Sequence, residues 1–147
     1  MANLASAFWN QKQWKKAEEL FVQVIKINSR VIGQEHPYTL TSMANLAAVF
    51  LNQERWEEAE RLGMQVMEIR KRVLGPEHPD TLVSMDNLVS TFSKQGRWKE
   101  AEDLLMQVTV IRRRVLGPEH PSTLTSMAGI ASTWRSQRSA KDERVPL

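Results

Sequence analysis

Three histidines, His36, His78 and His120, are the residues that first suggest chemistry, because an imidazole can act as an acid, a base or a metal ligand. They lie 42 residues apart, and each precedes a proline. No second histidine lies three or four residues away and the chain has no cysteine, so the ligand spacing of a metal site is missing. We expect each histidine to cap the helix that follows it.

The sequence also lacks a nucleophile motif, a phosphate-binding glycine loop and a dinucleotide fingerprint. Catalysis needs one asymmetric group of residues, whereas this chain repeats its polar residues evenly. We therefore predict that the protein is not an enzyme, with no catalytic residue, no bound metal and no cofactor.

Two basic clusters, Arg70-Lys71-Arg72 and Arg112-Arg113-Arg114, could bind an acidic surface or nucleic acid. A second interpretation is that they only complement the negative end of a helix dipole. Acidic residues earlier in the same predicted helices offset both clusters, and no aromatic residues interleave with them. Nucleic acid is therefore only a distant alternative as a partner.

The composition is that of an ordinary folded chain, with 41% hydrophobic and 25% charged residues and a net charge of +3. The longest apolar run, Leu46 to Leu51, is far shorter than the roughly 20 residues of a membrane span. The N-terminus does not read as a secretory signal. We expect a cytoplasmic protein that has no membrane partner.

The elements that carry these residues repeat with a period of 42. Residues 1–42, 43–84 and 85–126 align without a gap, and 21 of the 42 columns are identical. A half-repeat cap follows at 127–139, and 140–147 form a polar C-terminal tail. The identical columns are mainly apolar, small or turn residues, as expected when stacked units bury one another. We expect the Trp, Met and Phe residues of these columns to be core residues.

Each unit contains two apolar stripes of helical period, so the predicted fold is all-α with about 3.5 repeats and seven helices. The second helices are predicted near 14–31, 56–73 and 98–115. The first helices are predicted near 39–52, 81–94 and 123–138, with a truncated one at 1–10.

The spacing Leu46-Ala47-x-x-Phe50…Trp56-x-x-Ala59…Val66, with its counterparts in the other units, resembles the tetratricopeptide (TPR) signature. The longer unit and the segment Leu74-Gly75-Pro76-Glu77-His78-Pro79 are similar to the variant of kinesin light chains and of fungal nucleotide-binding immune-type proteins. The resemblance implies a right-handed superhelical solenoid whose first helices line a concave face. It further implies that this face binds an extended peptide or a partner helix. Gly129 departs from the pattern, since asparagine is expected there.

Helical geometry places one set of first-helix residues away from the core. The resemblance to TPR proteins implies that these residues lie on the concave face. Asn3, Asn45 and Asn87 form a ladder with one amide per unit, and an amide can both donate to and accept from a peptide backbone. The alternative is that each amide only bonds to the neighbouring hairpin. The predicted partner-binding residues are Asn45, Asn87, Asn3, Asn52, Leu51, Trp9, Lys94 and Arg135.

The two ends of the array differ. Ile130 and Trp134 are expected to cover the last second helix, while the first hairpin lacks its His-Pro-x-Thr-Leu lead and should expose apolar surface. This leaves open that the chain is part of a longer array or self-associates through its N-terminal hairpin. A structural spacer without a groove ligand is the second functional hypothesis.

Overall fold

In the computed structural model, the described part of the chain consists of residues 13–142 together with Ala5 and Ala7, and its regular elements are all α-helices. The predicted all-α class is therefore confirmed. The described helices are α1 (Trp14–Val31), α2 (Pro37–Asn52), α3 (Trp56–Leu74), α4 (Pro79–Lys94), α5 (Trp98–Leu116) and α6 (Pro121–Asp142). The truncated helix predicted at 1–10 lies mostly outside the described residues, although Ala5 and Ala7 are helical. Six helices are thus described where the sequence predicts seven.

Each of the first helices α2, α4 and α6 begins at a proline, within two residues of the start predicted near 39, 81 or 123, and the start at Pro79 agrees with the prediction that this proline opens its helix. The proline suits the first turn because the missing N–H would have no helical partner there. The preceding histidine caps the same turn, since Nδ1 of His36 accepts the backbone N–H of Tyr38 at 3.2 Å. His78 and His120 make the equivalent bond at 3.1 Å. The capping role predicted for the histidines is confirmed.

The turn from each second helix to the next first helix is held by a buried threonine. Thr39 Oγ1 donates to the carbonyl oxygen of Gly33 at 2.8 Å, and Thr81 and Thr123 bond to Gly75 and Gly117 in the same way. These glycines have φ near +100°, a conformation that side chains with a Cβ rarely adopt. The recurring Gly…His-Pro-x-Thr segment therefore sets the direction in which each first helix leaves the turn.

The chain divides into two units, Met1–Ser84 and Met85–Leu147. In the first unit, Phe21 of α1, Val49 of α2 and Ala59 of α3 belong to one buried cluster. A second cluster joins Leu40 and Met43 to Val66. Helix α2 is buried on more than one face because it packs against both α1 and α3. In the second unit, the buried apolar residues include Leu88, Phe92, Leu105 and Val108.

The prediction that all Trp, Met and Phe residues of the repeated columns are core residues is wrong for some of them. Met43, Met85, Phe50 and Phe92 are buried. In contrast, Trp56, the first residue of its helix, is 37% exposed.

Candidate functional site

An open cavity of about 360 Å³ lies between α1 and α2 in the first unit. Helix α2 contributes residues one turn apart on one face, which are Tyr38, Thr41, Ser42 and Asn45. The opposite wall comes from α1 and the residue after it, namely Val24, Ile27, Asn28 and Ile32. The volume falls within the range of small-molecule and side-chain pockets.

The cavity has an apolar rim and a partly polar floor. Tyr38 is 72% exposed and Ile27 and Ile32 are also exposed, so they form the rim. Ser42 and Val24 are buried and lie at the bottom. Ser42 Oγ donates to the carbonyl oxygen of Tyr38 at 3.0 Å, which leaves the hydroxyl oxygen as an acceptor. Such a site suits a side chain that has an apolar stem and a polar end.

Asn45 is the predicted partner-binding residue that lines this cavity, and it is half-buried. Its amide makes no hydrogen bond to another described residue, and the same holds for the exposed amide of Asn87 on α4. A bond to the neighbouring hairpin, the alternative considered for the asparagine ladder, is therefore not seen within residues 13–142. Both amides present a donor and an acceptor to solvent or to a ligand.

The other predicted partner-binding residues have different surroundings. Leu51 packs against the buried cluster of the first unit, and the Asn52 amide donates to the carbonyl oxygen of Ala48 in its own helix at 2.8 Å. Lys94 and Arg135, both in the second unit, are exposed. Asn3 and Trp9 lie outside the described residues. Asn45 therefore lines the cavity, whereas Leu51 and Asn52 do not.

Arg70 and Arg112 are interpreted from the sequence only as members of basic clusters, yet both side chains point into the packed interior. Arg70 is buried, and its Nη1 donates to Ser84 Oγ at 2.9 Å and to the carbonyl oxygen of Asp80 at 3.2 Å. Its Nη2 lies 3.4 Å from Thr41 Oγ1. Burial lowers the pKa of the Arg70 guanidinium, although the charge of Asp80 opposes that effect. The sequence signal that could have revealed this role is the constant spacing of 14 residues from each of these arginines to an invariant serine, Ser84 or Ser126.

Arg112 occupies the equivalent position in the second unit and has a carboxylate partner. Its Nη1 donates to Ser126 Oγ at 2.6 Å and to Asp86 Oδ1 at 3.2 Å, and its Nη2 donates to Asp86 Oδ2. The pair is bidentate, the arrangement in which guanidinium and carboxylate bind most strongly.

These contacts show that the residues of each basic cluster have different surroundings. The first arginine of each cluster is used inside the repeat, and Arg72 forms an ion pair with Glu35. Lys71 and Arg113 remain exposed at the helix ends. A continuous ridge of free cations, as needed for nucleic-acid binding, is therefore absent at these positions.

The turn between first and second helices is clamped by a repeated arginine. Arg55 pairs with Glu58 at 2.5 Å and with Glu18 at 2.8 Å, and its guanidinium lies 4.3 Å from the ring centroid of Phe50. The hydrogen bond from Arg55 lowers the pKa of Glu58. Arg97 repeats this arrangement with Glu100 and Phe92, and it lowers the pKa of Glu100. These clamps hold the hairpins that carry the candidate surface.

The last described helix, α6, exposes an apolar face. Leu124, Met127 and Trp134 are 52%, 46% and 53% exposed, whereas the equivalent Leu40, Met43 and Phe50 of α2 are at most 8% exposed. Trp134, which is expected to cover the last second helix, contacts that helix through Nε1, which donates to Glu102 at 2.7 Å, while about half of the residue stays exposed. The face of α6 that corresponds to the α3-covered face of α2 is therefore exposed in the part of the chain that the structure describes.

Gly129 permits close packing in the second unit. A Cβ at this position would lie 2.9 Å from Leu105 Cδ2. The asparagine of the other repeats would therefore require the end of the Leu105 side chain to shift.

Within residues 13–142, Ala5 and Ala7, no group of three or more His, Asp or Glu side chains is placed to hold a metal ion. No helix of the same part of the chain is long and apolar enough to cross a membrane.

Comparison with known proteins agrees with this geometry. The tetratricopeptide repeat profile matches residues 1–72 and 44–109, so the chain belongs to the tetratricopeptide repeat family. Proteins of this family generally serve as protein-interaction scaffolds. A comparison with the curated proteins finds no match.

Solved structures extend the match to nearly the whole chain. A kinesin light chain-type protein of Podosopora anserina with nearly identical TPR-like repeats is 32% identical, with a TM-score of 0.83. The match covers 96% of this chain and 67% of that one, and a single-residue variant of the same protein matches equally well, with 66% of its chain covered. BtubC (BKLC) of P. vanneervenii has a TM-score of 0.82 at 18% identity, covering 98% of this chain and 64% of that one, and supports the fold alone. The predicted TPR fold of the kinesin light chain-like type is confirmed.

Proposed function

We propose that this protein is a non-enzymatic, cytoplasmic interaction scaffold that binds an extended peptide or a partner helix on the exposed face of its first helices. The observation that carries the proposal is the cavity beside Asn45, where apolar and polar groups of α1 and α2 converge. Interface anchors typically fill pockets of this kind, surrounded by polar contacts.

The amides of Asn45 and Asn87 support the proposal because neither forms a hydrogen bond with another described residue. A free amide on a helix surface can hold a peptide backbone through one donated and one accepted hydrogen bond. The clamps at Arg55 and Arg97 add rigidity, which lowers the entropic cost of binding.

A peptide-display selection on the wild type beside the Asn45→Ala/Asn87→Ala variant tests the proposal. The wild type is expected to enrich a shared motif, and the variant is expected to lose it. The matched control is Gln65→Ala/Gln107→Ala, which removes one exposed amide per unit from the second helices instead. No enrichment by either the wild type or the control, with all proteins equally folded, contradicts groove binding and favours a structural spacer.

Self-association is the second candidate, and the open face of α6 is the observation that favours it. On α2 the same positions are covered by α3, where Leu40 and Met43 pack against Val66. A second copy of this chain carries second helices of the same type, so it can supply the missing cover. This route differs from the N-terminal hairpin suggested by the sequence, whose first helix lies mostly outside the described residues.

Light scattering over a range of concentrations tests self-association. The wild type is expected to form dimers or larger species, and Leu124→Glu/Met127→Glu is expected to restore the monomer. Val83→Glu, a similarly exposed apolar position on α4, is the control that should leave assembly unchanged. A wild type that is monomeric at every concentration rejects this candidate.

A further inference from the structure

The cavity between α1 and α2 exists because one repeated position differs between the repeats. Asn28, which lines the cavity, is replaced 42 residues later by Arg70 and again by Arg112. Both arginines extend into the equivalent place and donate to the serine of the following first helix, at 2.9 Å to Ser84 and at 2.6 Å to Ser126. In the first repeat the corresponding serine is Ser42, and the shorter Asn28 does not reach it within the described structure.

The acceptor groups that hold the guanidinium are nevertheless present in the first repeat. Ser42 donates to the carbonyl oxygen of Tyr38 at 3.0 Å, as Ser84 does to Asp80 and Ser126 to Ser122 at the same distance. The three hydroxyls therefore have the same orientation, and each can accept a further hydrogen bond from the side that an arginine fills. Arg70 also donates to the carbonyl oxygen of Asp80, whose counterpart is that of Tyr38.

We propose that the cavity receives an arginine side chain of a bound peptide, whose guanidinium takes the place that Arg70 and Arg112 hold in their own repeats. This inference rests on the proposed peptide-binding function and names the side chain that the cavity selects. The guanidinium would donate to Ser42 Oγ and to the carbonyl oxygen of Tyr38. Its methylene stem would pack against Ile27 and Ile32, as the stems of long cationic side chains do on apolar surfaces.

The charges near the cavity limit the affinity for a single arginine. None of the described residues that line the cavity is acidic, and Arg70 lies close by because its Nη2 is 3.4 Å from Thr41 Oγ1. The charge of Asp80 partly offsets that of Arg70. Recognition would therefore depend on hydrogen-bond geometry and on the face of the Tyr38 ring, which can attract a cation placed over it.

Tyr38 provides the readout, because it is the single tyrosine of the chain and its ring signals in an NMR spectrum are unambiguous. The probe is N-acetyl-arginine methylamide, and the matched probe is its citrulline counterpart, which has the same shape without the charge. The arginine probe is expected to shift the Tyr38 signals saturably and to bind about tenfold more tightly than citrulline, as expected for charge-assisted hydrogen bonds. Equal binding of the two probes, or no shift, overturns the proposal.

Asn28→Arg supplies the guanidinium from within the chain and is expected to abolish the titration of Tyr38. Since the other two repeats already carry arginine there, the variant should fold, and its thermal midpoint is expected to be at or above that of the wild type. Gln65→Arg adds the same charge at an exposed position of α3 and should leave the titration intact. If Asn28→Arg still binds the arginine probe as the wild type does, the site lies elsewhere and the inference is wrong.

Display selections on the wild type and on Asn28→Arg separate this inference from the proposed function. Enrichment of arginine-containing peptides by the wild type, with the arginine lost in Asn28→Arg, supports both. Enrichment of a motif without arginine supports groove binding and rejects the arginine site. A Tyr38 titration by the arginine probe without any enriched peptide supports the site and rejects the proposed function.

Discussion

The guanidinium of Arg70 donates a hydrogen bond of 2.9 Å to the hydroxyl of Ser84, so a cation lies in the interior of a helical repeat with a neutral partner. Burying a charge is costly unless hydrogen bonds compensate. Arg70 meets this condition with the serine hydroxyl and the carbonyl oxygen of Asp80. In the first repeat the equivalent residue is the shorter Asn28. The arginine therefore fills the interior of the later repeats, whereas a cavity remains in the first.

Arg70→Ala is expected to lower the free energy of unfolding by about 1–3 kcal/mol, because it leaves a void where the side chain packs. Arg70→Met keeps most of the volume and removes the buried charge, so its cost should be below about 1.5 kcal/mol. Lys71→Ala, at the exposed neighbour, should change the stability by no more than about 0.5 kcal/mol. Urea unfolding of the three variants measures these differences. An Arg70→Met variant that is destabilised as much as Arg70→Ala would show that the guanidinium and its hydrogen bonds, rather than the volume of the side chain, are required.

The pair Arg112–Asp86 should contribute to stability more than an exposed ion pair. A double-mutant cycle with Arg112→Ala and Asp86→Ala is expected to give a coupling free energy of about 1–3 kcal/mol, since Arg112 is largely buried. The control pair Arg72–Glu35 is more than half exposed on both sides, so solvent screening should make its coupling clearly smaller than that of Arg112–Asp86. Equal couplings for the two pairs would argue against a structural role for Arg112.

Gly129→Asn, which restores the residue of the other repeats, should destabilise the protein by about 0.5–1.5 kcal/mol because the end of the Leu105 side chain must leave its present rotamer. Leu105→Ala alone should cost about 2–5 kcal/mol. The double variant is expected to cost less than the sum, since each change makes room for the other. Thermal unfolding of the three proteins provides the test, and strict additivity would show that Leu105 moves away freely.

Trp56→Ala is a variant for which the structure changes the expected magnitude. The sequence predicts a cost of about 3–5 kcal/mol, as for a fully buried large aromatic residue. Because Trp56 is 37% exposed, we now expect about 1.5–3 kcal/mol, whereas Phe21→Ala, at a residue that is 1% exposed, should keep the larger cost. Denaturant unfolding of both variants measures the difference. Equal costs would indicate that Trp56 is covered in solution.

The Arg55 clamp is expected to make the free energy of unfolding decrease at acid pH. The hydrogen bond from Arg55 lowers the pKa of Glu58 in the folded state. The resulting stabilisation is present above the unfolded-state pKa of this carboxyl group and is lost as the pH falls through the folded-state pKa. An NMR titration should show the Glu58 pKa rising in Arg55→Gln, with a parallel rise for Glu100 in Arg97→Gln. A Glu58 pKa that Arg55→Gln leaves unchanged would contradict the assigned cause.

Much of the fold follows from the sequence because the helical stripes and the turn residues recur in register. The predicted starts of the second helices at Trp14, Trp56 and Trp98 are confirmed. The starts of the first helices predicted near 39, 81 and 123 are two residues late, because the apolar stripe begins after the capped turn that His36-Pro37 forms. The partner-binding residues Asn3 and Trp9 remain predictions outside the described residues. The display selection tests Asn45 and Asn87, and the roles of Lys94 and Arg135 remain predictions.

The sequence by itself determined the repeat length, the all-α class and the capping role of the histidines, since these depend on local spacing within one unit. Only the tertiary structure decided where Arg70 and Arg112 point, that Leu51 packs against a buried cluster, and that Asn28 leaves a cavity beside Asn45. The physical reason is that these features depend on what neighbouring helices place opposite each residue. Periodicity along one helix shows on which face of the helix a residue lies. The helix that packs against this face determines whether the space beside the residue is filled, contains a charge or stays open.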